Sequence, residues 1–228
     1  MTWMFTVPAV AQTDSQRSKD KDMLGKALDY FGGGKYHEAE ILFTKLQEKY
    51  ELNPRFKAYL AVCHFQEQEY EKATMVMDEV LPELTPFSPH ELSFYYYAAA
   101  ESHFQLEQYD TAMIFFQKTL PLCHNDEKGD ILFRIGFCHL FLSEEDKAKE
   151  DFAEAVKMFR TYNRSDKTKK ARAAQTEIML KHLLVPHGTR RVNVTDKEAW
   201  NDKNKNADNK NSNIKSKHRK KVYLHRRG

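Results

Sequence analysis

The sequence predicts an all-α fold, a solenoid of antiparallel helix pairs, and three observations carry that reading. Ten-residue windows recur as ALDYFGGGKY (27–36), AVCHFQEQEY (61–70), AESHFQLEQY (100–109) and GFCHLFLSEE (136–145), with the register advancing by 34, 39 and 36 residues. Self-similarity at periods of 20–50 residues is the signature of stacked units that cannot bury their apolar faces alone. Apolar residues within each unit fall at helical spacing, as in Leu42, Phe43 and Leu46, or Met113, Phe116 and Leu120. Finally, 8 Gly and 7 Pro in 228 residues, with 41% hydrophobic and 30% charged residues, argue against a loop-rich or all-β chain.

Taken from the N-terminus, MTWMFTVPAVAQ is apolar through Ala11 and then turns polar at once. The Ala9-Val10-Ala11 triplet reads as a secretory cleavage site, although no basic segment precedes it. Residues 1–19 are therefore expected to be a truncated signal peptide cut after Ala11, which gives a periplasmic or secreted protein. The alternative is an apolar arm on a cytoplasmic one. No other stretch approaches the roughly 18 apolar residues of a membrane span.

The solenoid is expected over residues 20–184. Each window opens on a small residue, Ala27, Ala61, Ala100 or Gly136, and carries Tyr or His three residues later. A polar or Gly-containing turn follows, then Ala39, Ala73, Ala112 or Ala148, then Phe43, Met77, Phe116 or Phe152. The small residues allow two helices to approach, and the large residue fills the space between neighbours. Residues 165–184, SDKTKKARAAQTEIMLKHLL, read as one terminal helix, with Ser165 and Asp166 at its start and Lys181 and His182 at its end. Such a helix covers the last apolar face of a stack. Pro186 to Gly188 end it, and the Asn- and Lys-rich residues 185–228 lack the apolar content of a core and read as a disordered basic tail.

This pattern resembles the tetratricopeptide repeat, whose signature places a small residue at position 8, an aromatic at 11, Gly at 15, Tyr at 17, Ala at 20 and an aromatic at 24. Ala27, Tyr30, Gly34, Tyr36, Ala39 and Phe43 match all six in the first repeat. The later repeats put His64, His103 and His139 at the aromatic position and lose the glycine. The fourth also has Glu145 in place of Tyr, and the linkers are lengthened around Pro82, Pro86, Pro89 and Pro121. The resemblance covers roughly residues 20–160 and implies a right-handed solenoid of four repeats.

The three histidines sit one repeat apart, and helices packed 8–10 Å apart hold equivalent residues too far from one another to share an ion. They are expected to be packed and hydrogen-bonded. Cys63 and Cys138, two repeats apart, exceed the reach of a disulfide and read as small apolar residues. Cys123, in a linker, is the cysteine with a chance of exposure. No P-loop, Rossmann fingerprint, HExxH or GxSxG occurs, so neither an enzyme nor a cofactor is expected.

The resemblance also implies a groove lined by the first helix of each pair. Its expected contacts are Phe65, Phe94, Tyr97, Glu101, Phe104, Phe133 and Phe137, with Leu24, Leu28, Phe31, Arg55, Ala58, Val62 and Leu140 on the same face. Such a surface suits an apolar peptide or an amphipathic helix unless tight curvature or the chain itself closes it. On this reading the protein is a non-enzymatic scaffold, and Phe104→Ala with Phe133→Ala weakens partner capture while helicity stays largely intact. Leu24, Leu28, Tyr59, Phe94 and Ala98 occupy the places of a carboxylate clamp, which argues against one.

Charge separates body from tail. Residues 1–159 hold 16 Lys and Arg against 27 Asp and Glu, whereas residues 160–228 hold 20 against 6. Lys217, Arg219, Lys220, Lys221, Arg226 and Arg227, beside Tyr223, form a basic arm suited to an anionic partner. Nucleic acid is that partner only for a cytosolic chain; lipid headgroups or an acidic protein fit an exported one. A regulatory or nucleic-acid-associated role through this tail is the alternative to the scaffold.

Overall fold

The computed structural model describes residues 14–84, 87–162 and 165–184. Among them are nine α-helices and no strand: α1 (Asp14–Gly32), α2 (Tyr36–Gln47), α3 (Pro54–Gln66), α4 (Tyr70–Val80), α5 (Pro89–Gln105), α6 (Tyr109–Thr119), α7 (Lys128–Phe141), α8 (Glu145–Tyr162) and α9 (Lys167–Leu184). A 3-10 turn over Leu81–Leu84 follows α4. Each helix packs against the next in sequence, and α3 also touches α5, so the chain is a helical solenoid. The expected cleavage point and residues 1–13 of the expected signal segment, and the whole basic tail, lie outside the described residues.

Local chemistry starts the helices. Asn53 accepts the Phe56 amide at 3.1 Å and Pro54 follows it, a pairing that suits the first turn because proline has no N–H to leave unpaired. Ser88, Pro89 and Glu91 repeat the arrangement at α5, with the Ser88 hydroxyl accepting the Glu91 amide at 3.3 Å. Asp166 takes the Thr168 and Lys169 amides at the start of α9. At the other end of the chain, α1 begins at Asp14 and is anchored through Asp20. Its buried carboxylate accepts from the Tyr50 hydroxyl at 2.7 Å and the Lys49 ammonium at 3.0 Å, tying α1 to the end of the first pair. The Tyr50 hydrogen bond, seconded by Lys49, lowers its pKa.

The joint inside each pair is built the same way four times. The amides of Lys35, Glu69, Gln108 and Glu144 reach back to the carbonyls of Tyr30, His64, His103 and His139 at 2.8–2.9 Å. One residue earlier, the amides of Gly34, Gln68, Glu107 and Ser143 bond to Phe31, Phe65, Phe104 and Leu140. This is the Schellman closure of a helix, which requires a left-handed residue. Gly34 has φ 74°, and Gln68, Glu107 and Ser143 have φ 66°, 60° and 64°. The lost glycines thus left the geometry unchanged, and three side chains now carry the steric cost of that conformation. Glu107→Gly and Gln68→Gly, both at exposed positions, should each stabilise the chain by about 0.5–1 kcal/mol, since strain relief exceeds the entropy added to the unfolded state. A rise in the urea midpoint checks this; a fall would show that the turn is not strained.

Packing follows the expected small-and-large rule. Ala27, Ala61, Ala100, Ala39, Ala73, Ala112 and Ala148 are fully buried, as are Phe43, Met77, Phe116 and Phe152. The α7–α8 contact shows why position 136 is glycine. A Cβ there would stand 2.7 Å from the Phe152 ring, and one at Gly129 would stand 2.6 Å from the Phe159 ring. Two apolar clusters run through the stack, one over α1 to α5 and one over α5 to α9. The lengthened linker after α4 buries Leu81 and Leu84 in the first. No described helix is long and apolar enough to cross a membrane.

Candidate functional site

The seven expected groove residues separate into two groups. Phe65, Phe94 and Tyr97 are half-buried, on α3 and α5. Leu24, Leu28 and Phe31 of α1 share that state and, with Phe65 and Phe94, pack against the N-terminal core. Glu101, Phe104, Phe133 and Phe137 are buried, at 4%, 4%, 1% and 2% exposure. In this structure these four are interior residues.

The reason is aromatic crowding in the later repeats. Phe104 packs on Tyr109, Phe116 and Phe141, and Phe133 and Phe137 pack on each other and on Phe152. Glu101 pairs with Arg134 of α7 at 2.6 Å, and that guanidinium lies 4.9 Å from the Phe104 ring centre. Arg172 of α9 reaches over Phe133 while its Nη1 bonds to Asp130 of α7 at 3.0 Å. The terminal helix therefore covers part of the surface that the repeat pattern alone would leave open.

The histidines at position 11 are buried and tied to acids or amides, as their spacing suggests. His103 stacks on Phe115, with Gln108 at 2.6 Å from Nδ1 and Asp78 at 3.1 Å from Nε2. His139 has Asp151 at 2.6 Å from Nδ1 and Glu144 at 3.5 Å from Nε2. His64 differs: Glu69 at 2.8 Å and Glu40 at 3.4 Å both face Nδ1. Burial raises the Glu40 pKa, whereas the Lys72 hydrogen bond lowers that of Glu69. The His-to-turn contact joins positions 11 and 16. Glu69 and Glu144 at position 16 were its legible sign, but Glu40, Asp78 and Asp151 come from other helices and gave no sequence signal.

The cysteines are free thiols. Burial raises the pKa of Cys63 and lifts that of Cys138 to about 12. Cys123 is half-buried, donates to the Leu120 carbonyl at 3.4 Å and is raised to about 11, again by burial. Burial disfavours the thiolate at each of them, which is the opposite of what activates a nucleophile.

Two family models match parts of the chain: the coatomer epsilon subunit over residues 28–85 and the tetratricopeptide repeat over residues 129–162. Among solved structures, MamA of strain AMB-1 is similar at TM-score 0.55 and 15% identity, over 74% of this chain and 87% of that one. MamA from Desulfovibrio magneticus RS-1 is similar at TM-score 0.51 and 17% identity, over 76% and 97%. At that identity the likeness concerns the fold. No curated protein matches the sequence.

Proposed function

We propose that the chain, a tetratricopeptide-repeat superfamily protein and hence of a fold built for protein interaction, is a non-enzymatic scaffold that receives an apolar peptide segment on its first three repeats. The observation that carries the reading is the row of half-buried side chains on successive first helices: Leu24, Leu28 and Phe31, then Phe65, then Phe94 and Tyr97. Each is rooted in the core and keeps part of its surface for contact, the condition in which aromatic anchors contribute most to binding. In the fourth repeat Phe133 and Phe137 are interior, so the row is drawn from the first three. An amphipathic helix with apolar residues at i, i+3, i+4 and i+7 fits such a row.

Selection of a displayed peptide library on the full chain tests the proposal. Enriched peptides should carry that apolar spacing, and Phe65→Ala with Tyr97→Ala should weaken them by about tenfold or more. Peptides that bind this variant as tightly as the parent would refute the groove. Binding lost only on deleting residues 215–228, and lost in salt, would favour the basic tail instead. The exported location belongs to the same proposal and rests on the Ala9-Val10-Ala11 triplet.

A further inference from the structure

We infer that Glu40, His64 and Glu69 form a site for one zinc-class divalent ion, which joins the first helix pair to the second. Glu40 lies on α2, His64 on α3, and Glu69 in the turn before α4. Their ligand atoms all lie within 4.8 Å of one another.

The distinguishing feature is that two carboxylates converge on one nitrogen. At His103 and His139 the partners stand on opposite ring nitrogens, so each N–H has its own acceptor in the imidazolium form. At His64 both Glu40 and Glu69 face Nδ1, at 3.4 Å and 2.8 Å. A single N–H serves one of them well. A cation placed between the three atoms serves all three.

Both edges at Nδ1 are close to what such an ion needs, and the Glu40–Glu69 edge lies within 4.8 Å. Four donors about 2.1 Å from a tetrahedral zinc stand about 3.4 Å apart, so the Nδ1–Glu40 edge already fits and the Nδ1–Glu69 edge opens slightly. One imidazole and two carboxylates suit zinc and its neighbours, and do not suit copper(I). With 35% of the Glu69 side chain exposed, water has access to the fourth position.

Charge points the same way. With a neutral imidazole, the three groups carry two negative charges, and the Lys72 ammonium, 2.8 and 2.9 Å from the two Glu69 oxygens, offsets one. An ion that takes Oε2 leaves Oε1 to Lys72. The His64 imidazole stays 90% buried as a side chain, which holds the nitrogen in place before any ion arrives.

Titration of the metal-stripped full chain with zinc chloride, followed by calorimetry and thermal unfolding, tests the site, with cobalt chloride as the absorbing probe. One equivalent should bind, raise the unfolding midpoint and give the intense visible bands of tetrahedral cobalt. Glu40→Gln and Glu69→Gln should each weaken that equivalent by about tenfold or more. Asp78→Asn, which alters the His103 contact, should leave it intact. Glu69→Gln changes a partly exposed turn residue, so it remains informative if Glu40→Gln folds poorly. Titration of both Gln variants as the parent would overturn the site. So would an equivalent lost instead in His90→Ala with His124→Ala, the imidazole pair stacked at 4.0 Å between α5 and the turn before α7.

Discussion

Glu101→Ala should lower the unfolding free energy by about 3–5 kcal/mol, the loss that follows when one member of a buried ion pair is removed. Glu101 and Arg134 are 6% and 2% exposed at their side chains and meet at 2.6 Å. Gln105 adds a hydrogen bond to the same carboxylate at 3.1 Å. Alanine removes the acceptor and leaves the guanidinium charge in a place it cannot leave, against the Phe104 ring. The companion experiment separates that penalty from any net value of the pair. Glu101→Met combined with Arg134→Leu removes both charges and keeps the volume, and should recover most of the loss, because the desolvation of two ions disappears with their attraction. Urea unfolding of the two singles and the double measures the coupling. A Glu101→Ala cost below about 1 kcal/mol would mean that the pair is solvated and the inter-repeat contact is open.

Phe104→Ala together with Phe133→Ala should abolish cooperative folding near physiological temperature. Each ring is buried among other aromatics, and truncating a buried Phe costs about 3–5 kcal/mol through lost transfer energy and a residual cavity. Phe104 packs on Phe116 and Phe141, Phe133 packs on Phe137 and Phe152, and the Phe137–Phe141 contact joins the two sets. Because the sites are coupled, the double cost need not equal the sum of the singles, but even one such loss of about 3–5 kcal/mol is a large share of a typical domain stability of about 5–15 kcal/mol. The repeat pattern read alone leads to the opposite expectation, weakened capture with helicity kept. Near-ultraviolet circular dichroism and the thermal midpoint decide between them. A variant with the parental midpoint would return both rings to the groove.

The proposed peptide surface was only half legible for the same reason. Leu24, Leu28, Phe31, Phe65, Phe94 and Tyr97, which the resemblance assigns to the groove face, are half-buried on the first helices. Glu101, Phe104, Phe133 and Phe137 share that periodicity and end up inside. Periodicity says which face of a helix a residue occupies. It does not say what else packs on that face, and here α9, Arg134 and Arg172 supply contacts that no local pattern announces. The same limit applies to His64. Its own position was legible as a packed histidine, but the arrival of Glu40 from the preceding pair was not.

What the sequence determined by itself is the repeat: its register, its small-and-large pairs, the capped start at Asp166, and the acidic body followed by a basic tail. These are short-range matters, set by helical spacing, cap chemistry and side-chain volume within some forty residues. The tertiary structure decided how far the groove extends, which charges meet in the interior and which histidine gathers two carboxylates. Those outcomes depend on contacts between different helices, such as Asp130 of α7 with Arg172 of α9, that form only when the helices stack.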